Sequence, residues 1–421
     1  MAKNTNKDLL PIFLVSGKSP VSNPGGYAAY AHNLALVFQE LGHPVYIIAQ
    51  GSQSSVGKTT LGEEHIISIN VINRLPFLKS IELAALPIFA PFFSREIEGI
   101  IRQKAYKDFV IWGMGPWSYA GVSLKKRFSR RAKFISFYPT TFLHEMKGSY
   151  NAIRILDYGL KMKLKYFFVV QIISRLYGLL ESQTIKYADL ITLNYRYPES
   201  FLMTQFKIGS EKFRQMSYYV DVFKRKAPTE ISEEKLRRIF LQHKTLIIVC
   251  RQDPRKGINF LLHAFKQVQK EIKNLKLIIV GSGTMLEPNR TIAMKLGINK
   301  DVIFAGFVAD FEPLLKKADL FVFPAIEEGS GSLSVLEAMK FGKAMVVTDC
   351  DGIPEDIINK ENGLVVPRMD TDSLAKAIIE LVNDKRLAKQ LGQNAKKRYE
   401  EKYSLALMKR DTKRILKEVS K

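Results

Sequence analysis

The chain has 421 residues, 46% of them hydrophobic and 25% charged, which excludes a disordered or fibrous protein and leaves room for two domains of roughly 200 residues each. Its formal net charge of +23 exceeds what solubility requires and points to a polyanionic partner or an anionic surface. Only two cysteines occur, Cys250 and Cys350, and the apolar run near the amino terminus, PIFLV, has the length of a strand rather than a signal peptide, so the expected setting is the reducing cytoplasm.

Apolar runs of strand length alternate with segments of helical period. In the first half the runs are Pro11–Ser16, Val45–Gln50, Phe109–Trp112, Lys133–Tyr138 and Leu190–Leu193. The second half repeats the pattern with Thr245–Cys250, Leu275–Gly281, Val302–Gly306, Leu320–Pro324, Ala344–Asp349 and Gly363–Pro367, and with helical segments such as Ile258–Glu271 between them. Such alternation predicts α/β architecture with parallel sheets. The charged, proline-containing stretch Lys224–Arg238 reads as a linker. The expected organisation is therefore a first domain over 1–226 and a second over 227–421, with the last helix a candidate to pack back on the first. Two doubly wound domains of this kind would face each other across a cleft, with ligands beyond the carboxyl ends of the strands.

Two segments resemble membrane elements. Ser80–Phe93 is interrupted by Glu82 and two prolines, and Tyr166–Leu180 contains Arg175; both fall short of the about 20 apolar residues that span a bilayer. The second follows Lys161, Lys163 and Lys165, so it reads either as a buried core helix or as an amphipathic helix lying on a membrane surface. The charge is also uneven, with 30 Lys and Arg against 15 Asp and Glu up to Lys226 and 34 against 26 beyond.

Every informative motif falls at a strand's carboxyl end. Gly25 and Gly26 stand directly before a helix, where close backbone approach and free N–H groups suit an anion; a plain tight turn is the alternative. Arg251 follows a strand and Lys256 precedes the next helix, a placement that would serve a diphosphate, although a solvated basic turn has the same composition. Gly281 and Gly283 follow a strand without the third glycine of a dinucleotide fingerprint, which counts against a nicotinamide dehydrogenase. The loop after LFVFP carries Glu327, Glu328, Gly329, Ser330, Gly331 and Ser332, Leu333 follows, and Ser334 to Phe341 begin the next helix, which contains Glu337. Glycines there allow a close approach, while carboxylates accept hydrogen bonds from sugar or ribose hydroxyls.

Taken together, Gly25-Gly26 with LGHPV, YYVDVF, Arg251 with Lys256-Gly257, VGSG, FAG, EGSGSLSVLEAMKFGKAMVVTDCDGIPEDI and NGLVVP resemble the retaining GT-B glycosyltransferases of family 4, over nearly the whole chain. The resemblance implies two Rossmann-like domains, a nucleotide-diphosphate sugar as donor and no resident cofactor or metal. It implies that Arg251 and Lys256 bind the donor diphosphate. The first glutamate of the family's Glu-seven-residues-Glu motif would contact the sugar and the second, Glu337, the ribose. Eight residues separate Glu328 from Glu337 rather than seven, and Ser330 stands where the family has an aromatic, so Glu328 and Glu327 both remain candidates for the first role. His144 is displaced from the family's usual histidine position and is a candidate sugar contact.

The remaining features take blander readings. Asp349-Cys350-Asp351 has the form of a metal-binding Asp-x-Asp but reads as a turn, His263 as a packed core residue, and Cys250 and Cys350 as possible neighbours in one sheet. The expected activity is glycosyl transfer to a lipid-linked or membrane-surface glycan. A nucleotide-sugar epimerase on the same scaffold is the alternative enzyme. Nucleic-acid binding fits the charge, but the basic residues lack interleaved aromatic platforms.

Overall fold

Continuous apolar strands such as Ile12–Ser16 and Lys244–Val249 are buried over nearly their whole length, as parallel strands covered on both faces must be. A computed structural model describes residues 9–17, 26–50, 55–59, 62–69, 86–155, 160, 163–164, 167, 170–171, 174–219, 233–308 and 310–421. The chain forms two compact units, one of Met1–Leu143, Gln171–Asp221 and Tyr403–Lys421, the other of His144–Val170 and Val222–Lys402. Thus the stretch 144–170, which sequence reasoning places in the first domain, belongs to the second unit, and the last helix belongs to the first.

The elements of the first unit begin with β1 (Ile12–Ser16), α1 (Gly26–Glu40), β2 (Val45–Gln50), β3 (Ser55–Thr59), β4 (Gly62–Ile69), α2 (Leu86–Gln103), β5 (Phe109–Met114), α3 (Tyr119–Phe128) and β6 (Ala132–Phe137). Helix α4 (Phe142–Ile155) follows at the crossing into the second unit. The first unit resumes with α5 (Ser174–Tyr187), β7 (Leu190–Leu193), α6 (Tyr197–Phe206) and β8 (Phe213–Gln215). Among the described residues its sheet has eight strands in the order β3-β4-β2-β1-β5-β6-β7-β8, parallel except for β3 against β4. The order reverses between β1 and β5, where the loop expected to bind an anion leaves β1. Gly25 lies outside the described residues; Gly26 begins α1.

The second unit continues with α7 (Glu233–Gln242), β9 (Lys244–Val249), α8 (Ile258–Glu271), β10 (Leu275–Val280), α9 (Leu286–Lys295), β11 (Val302–Gly306), α10 (Glu312–Lys317) and β12 (Leu320–Phe323). It ends with α11 (Leu333–Lys340), β13 (Met345–Thr348), β14 (Leu364–Val366), α12 (Thr371–Asn383) and α13 (Lys385–Lys402). Its sheet is wholly parallel, ordered β11-β10-β9-β12-β13-β14. Helix α8 buries Ile258, Leu261, Leu262, Phe265 and Val268, a stripe of helical period packed on the sheet, each large side chain contributing about 1.5–3 kcal/mol.

His263 is exposed, contrary to its expected packing, because it falls off that stripe while its neighbours Leu262 and Ala264 are buried. Cys250 and Cys350 follow β9 and β13, which β12 separates, so they are not on adjacent strands. In the first unit, α14 (Leu405–Val419) docks through Asp411, whose carboxylate accepts from the Ser217 backbone N–H at 3.0 Å, and through an Arg214–Glu418 ion pair. The segment Ser80–Phe93 is described from residue 86 as part of α2, with Pro91 inside the helix; residues 80–85 lie outside the described set, as do Lys161 and Lys165.

Candidate active site

The order of the second sheet sets the site. The chain runs from β9 outward through β10 and β11, then returns to β12 on the other side of β9, which makes the carboxyl ends of β9 and β12 a switch point where two loops part. The loop after β9 carries Arg251 and Lys256; the loop after β12 carries Glu327 to Ser332.

Beyond β9 the chain makes one 3-10 turn, Pro254–Lys256, and enters α8 through Gly257 at φ +66°. A Cβ at Gly257 would lie 1.9 Å from the Pro324 carbonyl oxygen, so only glycine lets the two loops approach this closely. The Arg255 carbonyl accepts from the backbone N–H groups of Ile326 and Glu327 at 2.8 and 3.3 Å, lacing the loops together. Lys256, 7% exposed, then forms an ion pair with Glu328 and lies 5.6 Å from the centroid of the Phe323 ring. Arg251 is directed elsewhere: its Nε donates to Asp253 Oδ2 at 2.6 Å and its side chain is 63% exposed.

The acidic loop is held from below by Asp351, which accepts from the backbone N–H groups of Glu328 at 2.7 Å and Gly329 at 2.6 Å. Burial alone would raise its carboxyl, but the His144 ring and those two N–H donors hold it well below the usual carboxylate range. Asp351, named in the sequence only as half of an Asp-x-Asp, is thus the loop's anchor. Gly352 completes the seat, since a Cβ there would lie 2.6 Å from the Ser330 carbonyl carbon. Ser330 and Ser332 are buried, Gly331 and Leu333 half-buried, and Ser332 precedes α11 in extended conformation.

The two first-glutamate candidates part company here. Glu328 takes Lys256, whereas Glu327 faces His144, whose Nε2 lies 3.4 Å from Glu327 Oε1 and 3.5 Å from Asp351 Oδ2. Burial pushes the Glu327 carboxyl up, His144 opposing and Asp351 adding to the shift. Glu337, in α11, is 6% exposed and has no ion-pair partner among the described residues; burial pushes its carboxyl up to about 8, Lys340 drawing it down. A buried carboxyl in this position is suited to a hydroxyl donor from a ligand.

Gly281, at φ +122°, lies where a Cβ would come 1.9 Å from the Cys250 carbonyl oxygen, so it serves the contact between the loops after β10 and β9. Buried Gln252 reinforces that contact by donating to the Gly281 carbonyl at 2.7 Å and accepting from Asn289 at 3.0 Å. Gln252, Arg255 and Glu145 escaped sequence reasoning; the Arg-Lys doublet at 255–256 was the available signal for Arg255, while Glu145 had none. Burial pushes the Cys250 thiol up to about 12, leaving it without nucleophilic character at neutral pH. Among the described residues no group of acidic, His or Cys side chains has the form of a metal site.

Two doubly wound units in one chain define the GT-B fold. The same fold is seen in sucrose-phosphate synthase from Thermosynechococcus elongatus, with a TM-score of 0.75 at 18% identity, covering 97% of this chain and 99% of that one. Residues 232–398, within the second unit, match the model of the family glycosyl transferases group 1. An uncharacterised glycosyltransferase of Methanocaldococcus jannaschii is 34% identical over 44% of this chain and 49% of its own length. A GDP-mannose-dependent alpha-(1-6)-phosphatidylinositol monomannoside mannosyltransferase of Mycolicibacterium smegmatis is 29% identical over 49% of this chain and 56% of its own. The chain therefore spans about half the length of the curated relatives it matches.

Proposed function

We propose that the protein transfers a hexosyl group from a nucleotide-diphosphate sugar to an acceptor hydroxyl, with retention at the anomeric carbon. The observation that carries this reading is the buried Lys256–Glu328 pair at the switch point, with buried Glu337 in the helix that follows. Departure of a nucleoside diphosphate needs fixed positive charge where negative charge develops. Lys256 supplies it, Arg251 adds a cation from the exposed rim, and the N–H groups at the start of α11 face the same need. Glu337 accepts from the ribose hydroxyls, Glu328 or Glu327 from the sugar, and His144 adds a further sugar contact. Gly25 and Gly26 are further candidate anion contacts in this reading, and no resident cofactor or metal takes part.

A thermal-shift panel of nucleotide-diphosphate sugars tests the donor, since a ligand that binds only the folded chain raises its melting temperature. No stabilisation by any member of the panel would refute the proposal.

The acceptor in this reading is a lipid-linked or surface glycan, reached at the cytoplasmic face of an anionic membrane. In support, six of the large apolar side chains exposed among the described residues fall between 155 and 179: Ile155, Leu160, Leu164, Phe167, Leu176 and Leu179. Arg154 and Arg175 are exposed among them, and each basic residue near an anionic surface contributes about 1 kcal/mol. No helix among the described residues is long and apolar enough to cross a membrane, so the contact would be peripheral. Sedimentation with vesicles should depend on their anionic lipid content; equal binding to neutral vesicles, or none to either, discards this acceptor.

A further inference from the structure

Helix α4 meets the acidic loop through one face. His144 and Gly148 are one turn apart, Glu145 adjoins them, and Ala152 and Ile153 continue the face against Met285 and Ile326. Glu145 Oε1 lies 3.1 Å from a terminal nitrogen of Arg255, and the other terminal nitrogen of that guanidinium donates to the Glu328 carbonyl at 3.3 Å. Arg255 is 4% exposed, and its own carbonyl receives the loop's N–H groups, so both its ends bind the segment that presents Glu328. At Gly148 the helix backbone comes so close that a Cβ would sit 1.9 Å from Glu327 Oε2.

We propose that Glu145, Arg255 and Gly148 form a positioning clamp that sets the place of Glu328, and with it Lys256, for the donor diphosphate; this rests on the donor-site reading above. Lys256 directly follows Arg255, so any freedom gained by the arginine passes to the lysine. Burial opposes a charged Glu145, but Arg255, with Arg251 and Lys256 behind it, keeps its carboxyl below the ordinary value, so the pair is ionised at neutral pH. Removing the carboxylate leaves a buried guanidinium short of its counter-charge and free to swing. None of the three residues touches the reacting atoms, so the loss falls on geometry in the transition state. A misplacement on the order of 1 Å lowers turnover by about 100-fold.

The test uses the full-length protein with the nucleotide-sugar selected by the thermal-shift panel, and separates kcat from the Kd of the matching nucleoside diphosphate. Glu145→Gln and Gly148→Ala should each lower kcat by about 10- to 100-fold while Kd changes by less than about threefold. The pair Glu145→Arg with Arg255→Glu should regain part of the kcat that either single change loses. Unchanged kcat in Glu145→Gln overturns the clamp, as do equal losses in kcat and nucleotide binding, which mark a merely structural role. If Glu145→Gln fails to fold, Arg255→Lys, which keeps the charge and loses the fork, is read by the same split. A wild-type chain that binds no nucleoside diphosphate sinks the donor-site reading itself; a chain that binds it through Lys256 but turns over normally as Glu145→Gln sinks only the clamp.

Discussion

Lys256 and Glu328 are joined across the switch point of the second sheet: one follows β9, the other β12, and both side chains are nearly buried. A buried pair of this kind gains little over two well-packed apolar side chains, yet breaking it from one side costs about 3–5 kcal/mol, because the remaining charge is stranded. Its retention in the core of the site is therefore best explained by a ligand that takes the lysine's charge.

That asymmetry makes a prediction. Lys256→Ala should lose turnover and also melt lower, on the order of 10 °C for a unit of this size. The double change Lys256→Met with Glu328→Gln should recover most of the melting temperature and none of the turnover. Thermal melts and initial rates on both proteins check it; a double variant as unstable as the single one would contradict it.

Glu337 should make nucleotide affinity depend on pH. Its carboxyl titrates at about 8 in the free protein, so it is largely neutral at pH 7, whereas ribose hydroxyls donate best to the charged form. Binding is then linked to loss of a proton, and affinity for a nucleoside diphosphate should rise between about pH 6 and 8 and level above. Stability of the free chain runs the other way. The folded pKa exceeds the unfolded value near 4.5, so this contribution is full below that value and is lost as pH rises through about 8. Titration calorimetry on wild type and Glu337→Gln isolates the effect, because the ligand's own ionisation is common to both. Identical slopes would rule it out.

Asp351 carries the opposite sign. Its folded pKa is depressed, so its contribution to stability is present above the ordinary carboxylate range, about 4, and is lost as pH falls through the folded value. Asp351→Ala strands the N–H groups of Glu328 and Gly329, at a cost of about 1–3 kcal/mol each where they stay buried. The variant should unfold more readily at neutral pH and lose less of its stability than wild type on acidification. Urea denaturation at pH 7 and at pH 3 measures both.

Gly257→Ala should be costly out of proportion to its size. The residue occupies the left-handed region at +66°, and the new methyl would strike the Pro324 carbonyl. Either the turn before α8 or the end of β12 must move, with strain on the order of 1–3 kcal/mol and a weakened grip by Lys256. Lowered denaturation midpoints with reduced nucleotide binding are expected; a variant that binds as wild type shows the two loops to be looser than their contacts imply.

Much of the scaffold was legible before any coordinates. Runs such as Leu190–Leu193 and Thr245–Cys250 correspond closely to β7 and β9, because a buried parallel strand needs consecutive apolar residues and leaves an unbroken mark in the chain. The glycines and carboxylates of 327–332 stand out for the same local reason. Strands β3, β4 and β8 went unread: β3 and β8 are short edge strands, and the apolar part of β4 is preceded by Gly-Glu-Glu-His. His263 is exposed although its neighbours Leu262 and Ala264 are buried, because phase around the helix, not the apolar character of adjacent residues, decides which side chains face the sheet.

The amino-acid sequence by itself determined two doubly wound units, the loops at their strand ends and the residue types that suit a phosphate and a sugar, since these follow from periodicity and from chemistry between near neighbours. Only the tertiary structure decided which charges meet. Arg251 turns to Asp253, Lys256 to Glu328, Arg255 to Glu145, and Asp351 to the loop backbone. Apart from the first, these pairings join residues far apart in the chain, and their choice depends on strand order and on a helix approaching at Gly148. An ion pair is set by distances of a few ångströms in space, and nothing in the local pattern of a chain records them.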